Sequence, residues 1–464
     1  MEQSSKDVVA TKQPKDSQIP DLVRIGSIPT STVMDVETSV LEPVQHSQTS
    51  CRFVLENKGI LHSHSKIVIA MTDPEVADEK LYWPINVGCM ALISRARLQS
   101  GGKTLIEQTD FNHLTAYESM FLSNEHNKQK EVFQNGRLMA HNFHYDTSTM
   151  NSDGVIVDTG RDFNVITDTY ELPSQIEIAA GSEFQISLSD LFPFLKQQQL
   201  PLFMINEQIT ITLEFSGPKE RMWQTGGAAA DVNIDTSKTR MIADYQFYPG
   251  EMMEAFRRQN ANLTLTYMVY RLSKTSIDAG TQRHIRNIGG NGRIVTQVVS
   301  GLEDPALTFV GNPLGKYQGV GPGNVSGTES GNISLNVKYN NHLLYPEDVV
   351  NFAQHQHNTA QAKGMVPFVT RFEYSGEGGA GSVSAKTLEG IDLADFLDGS
   401  FCWQSHRLNR NERVNSRGIE YQVAYDLNGG GRTQRVWLEM VRLASLNAEG
   451  KFNIQIGRAS CRER

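Results

Sequence analysis

His62-Ser-His64 sets two imidazoles at the spacing a metal could use. On a β-strand, residues i and i+2 share a face, so both rings would point the same way. A zinc-type site asks for three or four ligands. Sandwich-fold metal enzymes carry a glutamate four or five residues beyond such a pair, but here those positions are Val68 and Ile69. No downstream histidine completes the set. His355-Gln-His357 falls in a segment read as helix, where i and i+2 diverge. His141 and His144 have neither helical nor carboxylate context, so both of these pairs are read as solvated. The glycine-rich run Gly311–Gly327 lacks the Gly-Lys-Ser/Thr ending of a phosphate loop and is read as a surface loop. Gly289-Gly-Asn-Gly292 reads as a turn. No Gly-x-Ser-x-Gly elbow or His-Glu-x-x-His helix occurs. Asn262, Asn324 and Asn332 open glycosylation sequons of the kind chance supplies. No catalytic, cofactor-binding or metal-ligating residue is assigned, and no cofactor is expected.

The elements around these residues are mostly strands. In Glu207–Phe215, Ile209, Ile211, Leu213 and Phe215 share one face, and Thr210, Thr212 and Glu214 the other. A period of two sends the first set into a core and the second towards solvent. The alternation recurs in Phe184/Ile186/Leu188, Leu263/Leu265/Tyr267/Val269 and Ile419/Tyr421/Val423/Tyr425, and Val436/Leu438/Met440 begins another. Gly101-Gly102, between Ala91–Leu98 and Thr104–Gln108, reads as a tight hairpin turn. Helices are few. Asp110 is positioned to cap one carrying Leu114, Tyr117 and Phe121, and Pro346-Glu-Asp to open another ending before Gly364. The chain is therefore all-β, with short helices inserted in loops.

At 464 residues, two β-sandwich domains of about 200–250 residues fit better than three average domains. Leu188–Leu195 followed by Ile209–Phe215, and Ile391–Leu397 followed by Ile419–Tyr425, suggest a tandem of related sandwiches divided near 240–262. Residues 1–30 are polar, with Pro14, Pro20 and Pro29, and read as an arm that orders on a partner. The expected domains are 31–245 and 246–455. The terminal stretch 456–464 matches one reading frame of a sequencing adapter and is expected to be an artefact, Cys461 included.

A formal charge of −9 without a block of like charges argues against sequence-independent nucleic-acid binding. Cys51, Cys89, Cys402 and Cys461 are too dispersed for a disulfide framework or a cysteine zinc site. The polar start and the lack of a membrane-length apolar run predict a soluble chain made inside a cell.

Several blocks resemble major capsid proteins of polinton-like viruses and virophages. They are Gly59–Ser65 followed by Ile93–Lys103, Leu188–Leu195 with Leu200-Pro-Leu202 and Ile209–Phe215, Tyr345–Val349, Arg413–Ile419 and Val436–Arg442. The similarity runs over about residues 50–455. It implies two tandem eight-stranded jelly-roll sandwiches, and a homotrimer of nearly hexagonal outline that tiles the icosahedral shell of a double-stranded DNA virus. Implied partners are the chain itself, minor or penton capsid proteins, and an internal membrane, with no direct contact to nucleic acid. The implied location is the virion, assembled in the host cytoplasm or nucleus. The insertions 135–170 and 300–345 would lie on the outer tower or in subunit contacts, and the arm at the inner base.

Two other classes were weighed. A glycan-binding sandwich would show exposed aromatics, and only Tyr317 and Tyr339 stand in the large loop region; a minor virion protein of the resembled lineage would have a single roll, against the two-half layout. A double-sandwich metal oxidase or lyase would need the ligand set that the His62 region fails to supply.

Overall fold

The computed structural model describes residues 35–72, 81–82, 88–119, 134–136, 181–196, 199–217, 223–224, 233–260, 263–278, 283–289, 294–303, 334–339, 342–348, 352–363, 404–408, 419–424 and 432–455. The arm, His141, His144, Gly311–Gly327, Ile391–Leu397, Tyr317, the three sequon asparagines, Cys402 and the stretch 456–464 lie outside the described residues.

Strands in the first half are β1 (Asp35–Leu41), β2 (Gln45–His46), β3 (Ser50–Leu55), β4 (Ile60–Leu61), β5 (Lys66–Ala70), β6 (Leu81–Tyr82), β7 (Ile93–Ser100), β8 (Lys103–Thr109), β9 (Glu183–Ser187), β10 (Ile209–Phe215), β11 (Trp223–Gln224) and β12 (Arg240–Phe247). The second half has β13 (Thr264–Ile277), β14 (Arg283–Asn287), β15 (Val295–Glu303), β16 (Ser334–Tyr339), β17 (His342–Leu343), β18 (Gln404–Arg407), β19 (Ile419–Ala424), β20 (Arg432–Leu446) and β21 (Phe452–Gln455). Among the described residues the longer helices are α1 (Phe111–Ser119), α2 (Gly250–Gln259) and α3 (Phe352–Lys363), and a single turn forms at Leu188–Leu191.

One sheet of the first half is ordered β1-β12-β5-β9 and the other β3-β10-β7-β8. The chain passes repeatedly from one to the other, which is the winding of a jelly roll. The second half repeats it strand for strand, as β13-β20-β15-β18 and β14-β19-β16-β17. The short strands β2, β4 and β21 extend these sheets, and β6 pairs only with β11. Among the described residues every pairing is antiparallel and none joins the two halves.

The alternation read from sequence holds for the inward faces. Ile209, Ile211, Leu213 and Phe215 are buried, as are Leu263, Leu265, Tyr267 and Val269. One continuous apolar cluster runs from Phe53, Ile67 and Phe184 to Tyr267, Val298 and Phe452, so the two sandwiches share a core instead of hanging on a linker. Gly101 and Gly102 take φ of 53° and 84°, the two left-handed residues of a tight β7–β8 hairpin.

Several expectations are corrected. Leu188 does not continue its strand: Ser187 caps the turn Leu188–Leu191 by accepting from the Ser189 N–H. Thr210, placed on the solvent face, is buried. The described helix α3 begins at Phe352, well past Pro346. The segment Tyr345–Asp348 instead folds over Asn336, whose side-chain amide donates to the Tyr345 and Glu347 carbonyls and the Asp348 carboxylate. The Leu188 and Ile391 blocks are not equivalent either. The first follows β9, whereas the second precedes β18, the counterpart of β9. The true repeat lies in strand order and in the helices, since α1 and α3 each follow the matching strands β8 and β17.

Candidate functional site: the junction between the two sandwiches

The histidine pair sits in a turn, not on a strand face. The Ser65 N–H donates to the His62 carbonyl, and this tight turn between β4 and β5 breaks the strand period. The rings meet edge to face at 4.2 Å, and the His64 N–H donates to His62 Nδ1, which occupies a nitrogen a metal would need. Partial burial, then the neighbouring His64, lower the His62 pKa. Among the described residues no three His, Cys, Asp or Glu side chains gather as a metal-binding group. His357 lies exposed on α3. Burial pushes the Cys51 thiol up to about 12, which suits a core residue and not a nucleophile. No described helix is long and apolar enough to cross a membrane.

Among the described residues, a set of specific side-chain contacts lies where the halves meet. Strand β8 is the edge of its sheet, and a bulge against β7 leaves Leu105 without a cross-strand partner. The second half supplies what the edge lacks. Tyr267 Oη and Arg442 each donate to the Leu105 carbonyl at 2.7 Å. Trp437 Nε1 donates to the Thr109 carbonyl at 3.4 Å. Burial raises the Tyr267 phenol to about 12, keeping it a donor.

Helix α1 packs against β7 and residues 88–92 of the first sandwich and reaches the outward face of β13, β20 and β15 of the second with its side chains. Leu114 and Tyr117 pack there with Val299 and Trp437, with Tyr270 and Leu272 alongside. This cover explains why Trp437 is buried between the inward-facing Val436 and Leu438. Asp110 enters the helix with φ 49°, and its carboxylate pairs with Arg435 at 2.9 Å and Lys274 at 3.5 Å. Glu118 accepts from Tyr270 Oη at 2.9 Å and from Lys363 of α3 at 2.6 Å. Burial pulls the Lys363 ammonium down, but Glu118, with Tyr117 and Glu439, outweighs it and together they hold the pKa above its ordinary value. Tyr117 Oη closes the set on Ser405 Oγ and Gln297 Nε2.

A second fastening sits at the hairpin tip. Glu207 accepts from Ser100 Oγ at 2.9 Å, from Lys103 at 3.4 Å and from the Phe452 N–H at 3.2 Å. Lys103 also donates to the Phe452 carbonyl at 2.7 Å, and the Asn206 N–H to the Gly450 carbonyl at 2.9 Å. The arrangement can do no obvious chemistry. It fixes two like-built sandwiches in one orientation.

Sequence reasoning marked Asp110, Leu114 and Tyr117 as helical and Val436–Arg442 as a strand, but not that they meet. The outward Trp437 and the charged Arg435 within an apolar strand were the available signals.

No family model matches the chain, and no curated protein does. Among solved structures, a chain in the cryo-EM structure of the Sputnik virophage aligns with TM-score 0.54 and 9% identity, covering 96% of this chain and 93% of that one. The Faustovirus major capsid protein aligns with TM-score 0.50 and 9% identity, covering 91% and 92%. Both alignments span the two halves together. The fold is the double jelly roll. At such identity the likeness concerns architecture alone, and the double jelly roll here is defined by its repeated strand order and its locked junction.

Proposed function

We propose that this chain is a major capsid protein whose homotrimer, of pseudo-hexagonal outline, tiles the icosahedral shell of a double-stranded DNA virus. The observation that carries the reading is the junction. Two sandwiches of identical strand order are held in one orientation by buried contacts, so each chain is a rigid pair and three chains present six similar sandwiches. Repetition by symmetry turns modest contacts of about 1,200–2,000 Å² into a cooperative shell. The antiparallel sheets keep this frame while their loops vary. Residues 31–245 and 246–455 are assigned to the two rolls. The arm, residues 1–30, is assigned to the inner base, where a neighbouring subunit, a minor capsid protein or an internal membrane would order it. The net charge of −9 supports a shell role without direct genome binding.

Mass photometry and negative-stain microscopy of the purified chain test this. The expected species is about 155 kDa, three times 51.7 kDa, with a six-sided outline and a tendency to form sheets. A particle that stays at 51.7 kDa at high concentration refutes the reading.

A further inference from the structure

The two sandwiches differ at one sheet edge. In the first half, β3 turns Cys51, Phe53 and Leu55 into the core, and β2 pairs along its outer side. In the second half the same place in the strand order belongs to β14, whose outer side has no partner strand among the described residues. Arg286 stands opposite Tyr421, and cross-strand partners share a face. That face is the interior, because the buried Tyr421 hydroxyl meets Ser300 Oγ of the facing sheet. His284, two residues before Arg286, lies on the same side. Two basic side chains thus point inward where β3 carries apolar ones.

Arg286 Nη1 and His284 Nε2 are shut off from solvent and have no hydrogen-bond partner among the described residues. Burial lowers the Arg286 pKa, and burial, then Arg286, lowers that of His284, with no described carboxylate offsetting either. An inward charge that only discourages edge pairing would keep its polar head in water. A guanidinium does not give up its proton, so one withdrawn from water calls for an anion. On the opposite face Ile285, beside Gln422, is 53% exposed.

We propose that the free edge of β14 is a docking site for an acidic extended peptide, added to the sheet as a further strand. Two carboxylates at i and i+2 would meet Arg286 and His284 on the inner side, and an apolar residue between them would cover Ile285 on the outer side. A free oxyanion would answer the charge alone, whereas the unpaired edge and the exposed Ile285 fit a strand. The site goes beyond the capsid reading and stands or falls without it.

The probe is a fluorescein-labelled, end-blocked Thr-Glu-Val-Glu-Thr peptide, and anisotropy reads its binding to the full chain. Saturable binding is expected. A peptide with lysine for glutamate, a peptide with N-methylated central amides, and the Arg286→Met chain should each bind at least about tenfold more weakly. Without peptide, Arg286→Met should melt no earlier than the parent, because it removes an unpaired charge from the interior. On adding the peptide, amide exchange of the parent should slow at residues 283–287. Absence of saturable binding, or unchanged exchange at 283–287, overturns the site. Equal binding of the N-methylated peptide, or displacement by equimolar acetate, reduces it to a simple anion site and overturns strand addition. An early-melting Arg286→Met chain assigns the guanidinium a partner within its own chain and also overturns it.

Discussion

The Leu105 carbonyl offers a sharp test of the junction. A bulge excludes Leu105 from the β7 ladder, and Tyr267 and Arg442 both donate to its oxygen at 2.7 Å. Tyr267→Phe removes one donor and leaves the other, which should cost about 1 kcal/mol. Arg442→Met removes a charge-assisted bond, and a weaker one to the Thr104 carbonyl at 3.4 Å, for about 1.5–3 kcal/mol. In the double variant the carbonyl loses both donors, and the phenylalanine ring fills the space water would need. An unsatisfied buried carbonyl costs about 1–3 kcal/mol, and that penalty appears only when both are gone. The double variant should therefore lose roughly 1–2 kcal/mol more than the sum of the two single losses. Equilibrium unfolding in urea, run as a double-mutant cycle, measures this coupling. Additivity within about 0.5 kcal/mol would mean that solvent or another donor serves Leu105, and the account of the junction would fail.

Other perturbations follow from the same contacts. Asp110→Asn leaves the buried Arg435 without its carboxylate and should lower stability by about 2–4 kcal/mol, read as an earlier thermal transition; Asp110 is partly exposed, which softens the loss. Gly101→Ala should destabilise more than Gly102→Ala. Both positions have positive φ, but a Cβ at 101 meets the Glu207 carboxylate at 2.8 Å while one at 102 meets nothing, and parallel melting curves would show the order. Burial lowers the pKa values of His46, His62 and His284, so their charged forms are disfavoured in the fold. The unfolded chain then binds protons first as pH falls below about 6.5, and stability should decline from there downward in a pH series. Cys51, with its thiol raised to about 12, should resist a thiol reagent at pH 8 until the protein unfolds, as located by peptide mass spectrometry.

How much of this was legible in the sequence depends on how local the cause is. The hairpin at Gly101-Gly102 and the inward faces of β10 and β13 follow from glycine φ and a period of two, and both are visible in a short window. The turn at His62–Ser65 is local too, but its residues also fit a strand, and only the hydrogen bond to the His62 carbonyl decides. Pro346 misled for a similar reason, because a helix-opening pattern also suits a segment folded over Asn336. The junction was hidden because its two sides are remote in the chain. Trp437 looks like an ordinary strand residue until α1 is seen lying on it. The repeat was hidden for a different reason: strand order survives changes of sequence that erase matching blocks, which is why the Leu188 and Ile391 segments were paired wrongly.

The unequal covering of the two outward faces has a consequence for how such a subunit would behave. Trp437, Val299, Leu114 and Tyr117 bury large apolar surface inside one chain, and the partly exposed Asp110 pairs with the buried guanidinium of Arg435. Among the described residues, the outward face of β1 and β12 offers Val36, Val40 and the partly buried Ile242 as its apolar side chains. At about 25 cal/mol per Å² of apolar surface, a valine-lined contact is the weaker of the two. A contact within a chain also escapes the entropy lost when separate molecules associate, so the stronger surface sits where dissociation is already forbidden. Under the proposed shell role, the weaker face would be left for contacts between copies, which must find each other and correct errors before a lattice sets. A variant that enriches the first face, such as Val40→Trp, should then drive association at lower concentration but yield more irregular particles by negative-stain microscopy. If ordered sheets improve instead, the inequality between the two faces is incidental to assembly.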